Sequence, residues 1–308
     1  MLDNRFALAT FSHGGQPTAA LVVGNTYWPL AATAGRLNVS GLAGGLIDLF
    51  PRWDDSFAAL RQVAARCTTE ARDLGLDGAG LTLLTPLQYP AKVLCAGANY
   101  YDHLAEMGMP DAKKENQRLF FFFKPPRQAL VGPGRTVRMP RDTKALDWEV
   151  ELAAVFGKTA TAVSVAEARQ HIAVYAVAMD LSARDLNRAP ETFYKLDWVA
   201  GKGQDTCGPL GPLLVPAAFV SDPQNLAMKL RVNGETKQDG NSSGMVFDIA
   251  EQISILSRIM TMEPGDVLLT GTPAGVGAPK GTFLKVGDKV EAEIAEIGSL
   301  AVEIGPAA

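Results

Sequence analysis

The sequence predicts an α+β protein, with a β-rich domain over residues 92–304 preceded by a small α+β cap unit over residues 1–85. Three observations carry this expectation. From Lys92 onward, short apolar or alternating runs dominate and end in Gly, Pro or Asn-Gly. Only a few stretches repeat their apolar residues at helical spacing. The 308 residues are 47% hydrophobic and 20% charged, which suits a chain that buries a large core and argues against long disorder.

The N-terminal unit opens with two β-like pieces at residues 6–11 and 19–23. A helix is expected over 56–74, where Phe57, Leu60, Val63 and Ala64 recur on one face. Pro86 and Pro90 bracket a linker, LQYP. In the larger domain VLCAGANY, VELAAVFG, IAVYAVAMD, GPLLVP, LAMKLRVNG, VLLTGTP and VEAEIAEIG read as strands. Asn233-Gly234 predicts a hairpin, because both positions tolerate positive φ, and Gly287-Asp288 predicts another turn. Two helices are expected. One runs over 165–170 after a Ser164 N-cap; the other runs over 247–260, with Ile249, Ile253, Leu256 and Met260 on one face.

Composition narrows the function. Lys and Arg total 29 against 33 Asp and Glu, a net charge of -4, so a dedicated nucleic-acid binder is not expected. Cys67, Cys95 and Cys207 lie far apart with no CxxC, which excludes a zinc ribbon or disulfide framework and fits a reduced, cytoplasmic setting. The opening MLDNRFALATFSHGG has charged interruptions and no long apolar core, unlike a secretory leader. No apolar run approaches the ~18 residues of a membrane span, so no membrane partner is expected.

Four constellations carry chemistry. In LDWEVELAAVFG, Glu149 and Glu151 are two apart in a strand and share a face. Paired carboxylates repel unless a cation sits between them, and a hard divalent cation with oxygen ligands would serve. A solvated strand face is the alternative, weakened by the apolar Leu146, Trp148, Ala153 and Val155 around the pair. Asp180 ends the apolar run IAVYAVAMD; it either caps the next turn or supplies a third carboxylate for Mg²⁺ or Mn²⁺.

In GANYYDHLAEMG, Asn99 or Asp102 would cap a short helix that Gly108 ends, with His103 and Glu106 as i, i+3 neighbours. Glu beside His makes a general base, or else an ordinary surface pair. Gly97 and Gly108 on either side suggest a mobile lid over 103–118. In PGDVLLTGTPAGVG, Gly271, Gly275 and Gly277 would let backbone N–H groups approach a ligand oxygen and Thr272 adds a hydroxyl, or the run is only a strand ending in a turn. Lys202 sits in a glycine-flanked loop, either reaching an anionic ligand or solvated. Arg184 would pair with a carboxylate ligand or with Asp185.

Together these segments resemble the fumarylacetoacetate hydrolase family. The matching text is VLCAGANYYDHLAEMG, LFFFFKPPRQALVGPG, LDWEVELAAVFGK, AMDLSARD, GKGQDTCGPLGP, LRVNGETKQ and PGDVLLTGTPAGVG, in the family's order over about 92–304. The resemblance implies a mixed β-sandwich roll, a homodimer, and Mg²⁺ or Mn²⁺ held by Glu149, Glu151 and Asp180. It makes His103 and Glu106 a water-activating dyad on a lid. Lys202 and Thr272 would hold the keto-acid end of the substrate, with Lys202 also helping to protonate an enolate and Arg184 in support. Asn187 stands where Gln is common, which bears on a substrate contact and not on the metal.

The implied reaction is hydrolysis of the C–C bond of a 2,4-dioxo acid, an acylpyruvate or a fumarylacetoacetate-like compound. The products are pyruvate or a related oxo acid and a carboxylic acid. Within the family the alternative is decarboxylation of oxaloacetate, or isomerisation or decarboxylation of an oxo-diacid. Outside it, the alternative is a non-catalytic module stapled by a metal.

Overall fold

The computed structural model describes residues 5–307; the first four positions of the expected N-terminal unit and the last residue lie outside that range. A five-stranded N-terminal sheet contains Ala7–His13, Gln16–Val23 and Thr26–Pro29, the last of which has no counterpart among the sequence-predicted strands. The expected helix over 56–74 runs Trp53–Glu70, stops at Ala71 with φ −134°, and resumes as one 3₁₀ turn, Arg72–Leu74.

The larger part is built on two main sheets, with two short two-stranded sheets beside them. A six-stranded mixed sheet runs in the order Val215–Pro216, Ile172–Met179, Val150–Phe156, Val267–Leu269, Val93–Gly97, Phe120–Phe123. A five-stranded sheet contains Glu235–Asn241, Ala227–Val232, Lys289–Ile294, Gly298–Gly305 and Thr136–Arg138. This is an α+β, β-rich architecture of two packed sheets.

Val150–Phe156 is buried at every position because both of its faces are covered. Val150, Leu152, Ala154 and Phe156 pack toward the five-stranded sheet with Leu230, Ala292 and Leu300. Ala153 and Val155 join Phe50, Leu60 and Val63 of the N-terminal unit in a second core. Each large apolar side chain so buried contributes about 1.5–3 kcal/mol on transfer scales. Glu149 and Glu151 occupy the same face as Ala153 and Val155, at the end where the second core gives way to a cavity.

The hairpin forms as the sequence predicts, with Asn233 at φ 52° and Gly234 at φ 82°. The Asn233 side chain donates to Asp288 Oδ1 at 2.8 Å, tying that hairpin to the second expected turn. The helix expected over 247–260 is Ile249–Ile259, set by a capping box in which Asp248 and Glu251 bond each other's backbone N–H. Over 165–170 only Val165–Ala168 is α-helical, followed by a 3₁₀ turn. Ser164 holds the N-cap position, but its hydroxyl donates to Glu167 Oε2 and caps no N–H. GPLLVP is a strand only at Val215–Pro216, since Gly211 turns at φ +120° and Pro212 has no N–H to give a ladder. Among the described residues no helix is long and apolar enough to cross a membrane.

Candidate active site

Three adjacent strands deliver the acidic residues to one point. Val150 pairs with Met179 across the antiparallel ladder, so Glu149 and Asp180 fall opposite each other just beyond it. The Asp180 N–H donates to the Glu149 carbonyl at 2.9 Å, which fixes that end. On the other side Val150–Phe156 pairs with Val267–Leu269, and the Gly271 N–H beyond it donates to Glu151 Oε2 at 2.6 Å. Glu149, Glu151 and Asp180 are 4%, 1% and 0% exposed, which settles the solvated-face alternative. One ligand oxygen from each lies within 4.8 Å of the others.

Cations answer two of the three. Lys202 Nζ reaches Glu149 Oε2 at 3.0 Å and Asp180 Oδ2 at 2.6 Å. Arg184 lies 2.5 Å from Glu149 Oε1 and 2.9 Å from Asp147 Oδ2. Lys124 Nζ lies 2.8 Å from Asp180 Oδ1. Burial alone would raise the Glu149 carboxyl, but Lys202 and then Arg184 outweigh it and hold it near 2. Burial alone would lower the Lys202 ammonium; Asp180 and Glu149 outweigh that and raise it. Glu151 differs. Burial, then Asp180 and Glu149, push its carboxyl well above the ordinary range, against only the Gly271 N–H and the more distant Lys202. Without a cation between them, Glu151 is thus the carboxyl of the three that favours its neutral form, and a bound cation would favour its ionised form. Three convergent carboxylate oxygens in a buried site are the donor set of a hard divalent cation, so these residues fit Mg²⁺ or Mn²⁺.

His103 lies on the short helix Tyr101–Glu106, and its Nδ1 is 2.7 Å from Glu106 Oε1. The other Glu106 oxygen accepts the Gly275 N–H at 2.8 Å. Burial alone would raise the Glu106 carboxyl; the His103 hydrogen bond and the Gly275 N–H together bring it below its ordinary value. An ionised Glu106 accepts the Nδ1 proton, leaving Nε2 as the basic nitrogen. His103 is 6% exposed and lines the cavity, so the pair is not a surface ion pair.

Several expectations are corrected. Lys202 does not sit in a solvated loop: it ends the helix Trp198–Lys202 and is buried on two carboxylates. Arg184 pairs with Asp147 and Glu149, whereas Asp185 bonds Thr143 and the Lys144 N–H. Neither Asn99 nor Asp102 caps the His103 helix, whose N-cap position is Tyr100. The Asn99 amide instead bonds the Phe247 and Thr270 carbonyls. Gly97 ends a strand, where a Cβ would stand 2.1 Å from the Phe120 ring, so its missing side chain serves packing. Gly108, at φ +91°, does end the helix.

The glycine-rich turn does not cradle a ligand. Its N–H groups are spent on the site's own carboxylates: Gly271 on Glu151, Gly275 on Glu106 and Gly277 on Asp147. Gly275 has φ +106°, and a Cβ there would lie 2.1 Å from the Lys237 carbonyl oxygen. Gly275→Ala should therefore cost about 3 kcal/mol of folding stability, read as a shifted urea midpoint. An unchanged midpoint would show that this turn can open without loss.

The cavity measures about 530 Å³. His103, Glu149, Glu151, Lys202 and Thr272 line its polar side, while Met107, Phe120, Trp198 and Phe283 line the other. Thr272 Oγ1 accepts from Gln238 Nε2 at 2.8 Å, so its own proton is free for a ligand oxygen. Asn187 also lines the cavity, and its amide bonds the Asp197 carbonyl. Sequence reasoning missed Asp147, which holds Arg184, and Gln238, which holds Thr272 and the Val150 N–H. It also missed the fully buried Lys124, whose only local signal is a lone charge ending the run LFFFF.

Known proteins resemble the chain in sequence and fold. A mitochondrial oxaloacetate tautomerase of Bos taurus is 39% identical over 272 residues, covering 84% of this chain and 83% of its own. An oxaloacetate tautomerase of Bacillus subtilis is 38% identical over 273 residues, covering 86% and 87%. Among solved structures, a fumarylacetoacetate hydrolase from Exiguobacterium antarcticum superposes with a TM-score of 0.78 at 27% identity, covering 98% and 99%. A fumarylpyruvate hydrolase from Pseudomonas aeruginosa, in complex with Mn²⁺ and pyruvate, gives 0.64 at 32% identity, covering 72% and 91%. Residues 92–304 match the Fumarylacetoacetate (FAA) hydrolase C-terminal family. With about two thirds of its length in that match and relatives near 40% identity covering 84% of it, the chain belongs to the fumarylacetoacetate hydrolase family.

Proposed function

We propose that the chain interconverts the keto and enol forms of oxaloacetate or a closely related 2-oxo diacid, with Mg²⁺ or Mn²⁺ held by Glu149, Glu151 and Asp180. The observation that carries this reading is that His103, held by Glu106, lines the same cavity as Glu149 and Glu151 of the carboxylate triad. The two oxaloacetate tautomerases of similar sequence support it. When bound, the metal supplies Lewis acidity toward the substrate's carboxylate and 2-keto oxygens. Lys202 and Thr272 orient that keto-acid end, Lys202 as a charge and Thr272 as a hydroxyl donor. His103 Nε2 takes a proton from C3, and Glu106 steadies the imidazolium that forms. The imidazolium then delivers that proton to the enolate oxygen at C2, so no atom is gained or lost. Met107, Phe120 and Trp198 give the cavity an apolar lining beside these polar groups.

Hydrolysis of a 2,4-dioxo acid is the second reading, with the same base activating water. The size of the cavity and its apolar side, which can take an acyl group, favour it, as does the fumarylpyruvate hydrolase neighbour. Following the enol ultraviolet band of oxaloacetate, and pyruvate release from a panel of acylpyruvates, separates the two. Acylpyruvate cleavage without faster oxaloacetate tautomerisation would replace the first reading by the second. A homodimer belongs to the same proposal, and exposed Phe193, Tyr194 and Val199 offer apolar surface for it. Sedimentation of a monomer at micromolar concentration would count against that.

Stripping metal with a chelator should abolish turnover and leave the fold intact. Lys124, Lys202 and Arg184 pair Asp180 and Glu149 through the protein's own charges. Circular dichroism beside an activity assay checks this. A protein that melts on chelation would instead be one that the metal merely staples.

A further inference from the structure

Lys124 follows the strand Phe120–Phe123 and is 0% exposed. It is not among the residues lining the cavity, so it has no route to substrate. Its ammonium donates to the carbonyls of Leu181 at 3.0 Å, Lys202 at 2.8 Å and Cys207 at 2.9 Å. Those three bonds use all three N–H groups of a lysine. Asp180 Oδ1, 2.8 Å away, is therefore held by charge alone. An isolated ammonium in this setting would be strongly destabilising, so its partners define its purpose. Two partners are site residues, Asp180 and the backbone of Lys202; the other two flank them, Leu181 directly after Asp180 and Cys207 at the end of the loop after Lys202.

We propose that Lys124 is a positioning residue that acts through Asp180 and Lys202. Its charge keeps Asp180 Oδ1 turned away from Glu149 and Glu151, so that Asp180 offers Oδ2 alone to a divalent cation. Its bond to the Lys202 carbonyl sets the end of the Trp198–Lys202 helix, from which the Lys202 ammonium reaches Glu149 Oε2 and Asp180 Oδ2. The inference rests on the triad binding a divalent cation and holds for either reaction proposed above. The opposing account is a plain structural staple joining three segments.

Two measurements decide. The first is Mn²⁺ titration of the full-length wild type and of Lys124→Met, which keeps the apolar stem and removes the charge. Partners that orient a metal ligand are typically worth 10–100-fold in affinity, so Lys124→Met should weaken Mn²⁺ binding by about that factor. A structural staple would lower the melting temperature yet leave the Mn²⁺ Kd of the folded variant within about twofold of wild type, which would overturn the proposal. The second uses the wild type only and decides the matter if the variant does not fold. In the Mn²⁺-loaded crystal structure, Asp180 should coordinate through Oδ2 alone with Oδ1 still beside Lys124. Bidentate coordination, or Lys124 withdrawn from Asp180, overturns it. A wild type that binds no Mn²⁺ in the first titration would overturn the metal reading and this inference with it.

Discussion

Glu151→Gln should lower turnover by about three orders of magnitude, with the protein still folded. Glu151 is the triad member without a cation of its own, bonded only by the Gly271 N–H. The amide keeps the side chain's shape and an oxygen that can still accept from Gly271. It removes the charge that a divalent cation would meet. A metal's Lewis acidity is worth several kcal/mol of transition-state stabilisation, and each 1.36 kcal/mol is tenfold in rate, which gives the expected factor. Burial of a carboxyl pressed by two like charges is unfavourable, so the variant should melt no lower than the metal-free wild type. The check is turnover at saturating Mg²⁺ together with the melting temperature of the metal-free proteins. Turnover within tenfold of wild type would remove Glu151 from the metal site.

Glu106→Gln should lower proton-transfer turnover by about 10²–10⁴-fold, the usual worth of a general base, with oxalate binding nearly unchanged. Glu106 accepts from His103 Nδ1 at one oxygen and from the Gly275 N–H at the other. Glutamine has only one oxygen. If that oxygen keeps Gly275, the amide NH₂ faces Nδ1 and forces the ring proton onto Nε2, which ends its use as a base. If it turns to His103, Gly275 loses its acceptor and the imidazolium has no counter-charge. The triad is untouched either way. Both proposed reactions need the base, whereas metal-assisted decarboxylation of oxaloacetate needs only an electron sink. A decarboxylase side activity should thus fall much less. Imidazole nitrogen shifts in the NMR spectrum report the tautomer directly. Wild-type turnover in this variant would rule out His103–Glu106 as the base.

Local periodicity and local sterics account for the part of the site legible in the chain. Alternation places Glu149 and Glu151 on one face whatever surrounds the strand, because successive strand residues point to opposite sides. Helical spacing does the same for His103 and Glu106, and positive-φ tolerance for the Asn233-Gly234 hairpin. The family motifs pointed to Asp180, Lys202, Arg184 and Thr272; in the structure Lys202 pairs with Asp180, Arg184 pairs with Glu149, and Lys202, Arg184 and Thr272 line one cavity. Only the tertiary structure decided the electrostatics. Asp180 meets Glu149 because the ladder pairs Val150 with Met179, a register that no local pattern specifies. Lys124 reads as an ordinary charged residue in the sequence and Lys202 as a loop lysine free to reach a ligand or solvent, yet both are buried against carboxylates from other strands. The glycine-rich turn looked like a ligand cradle; long-range packing turned its N–H groups onto Glu106, Asp147 and Glu151 instead. A side chain's charge state and partners are set by groups distant in the chain and close in space, and single-sequence spacing carries no record of those distances.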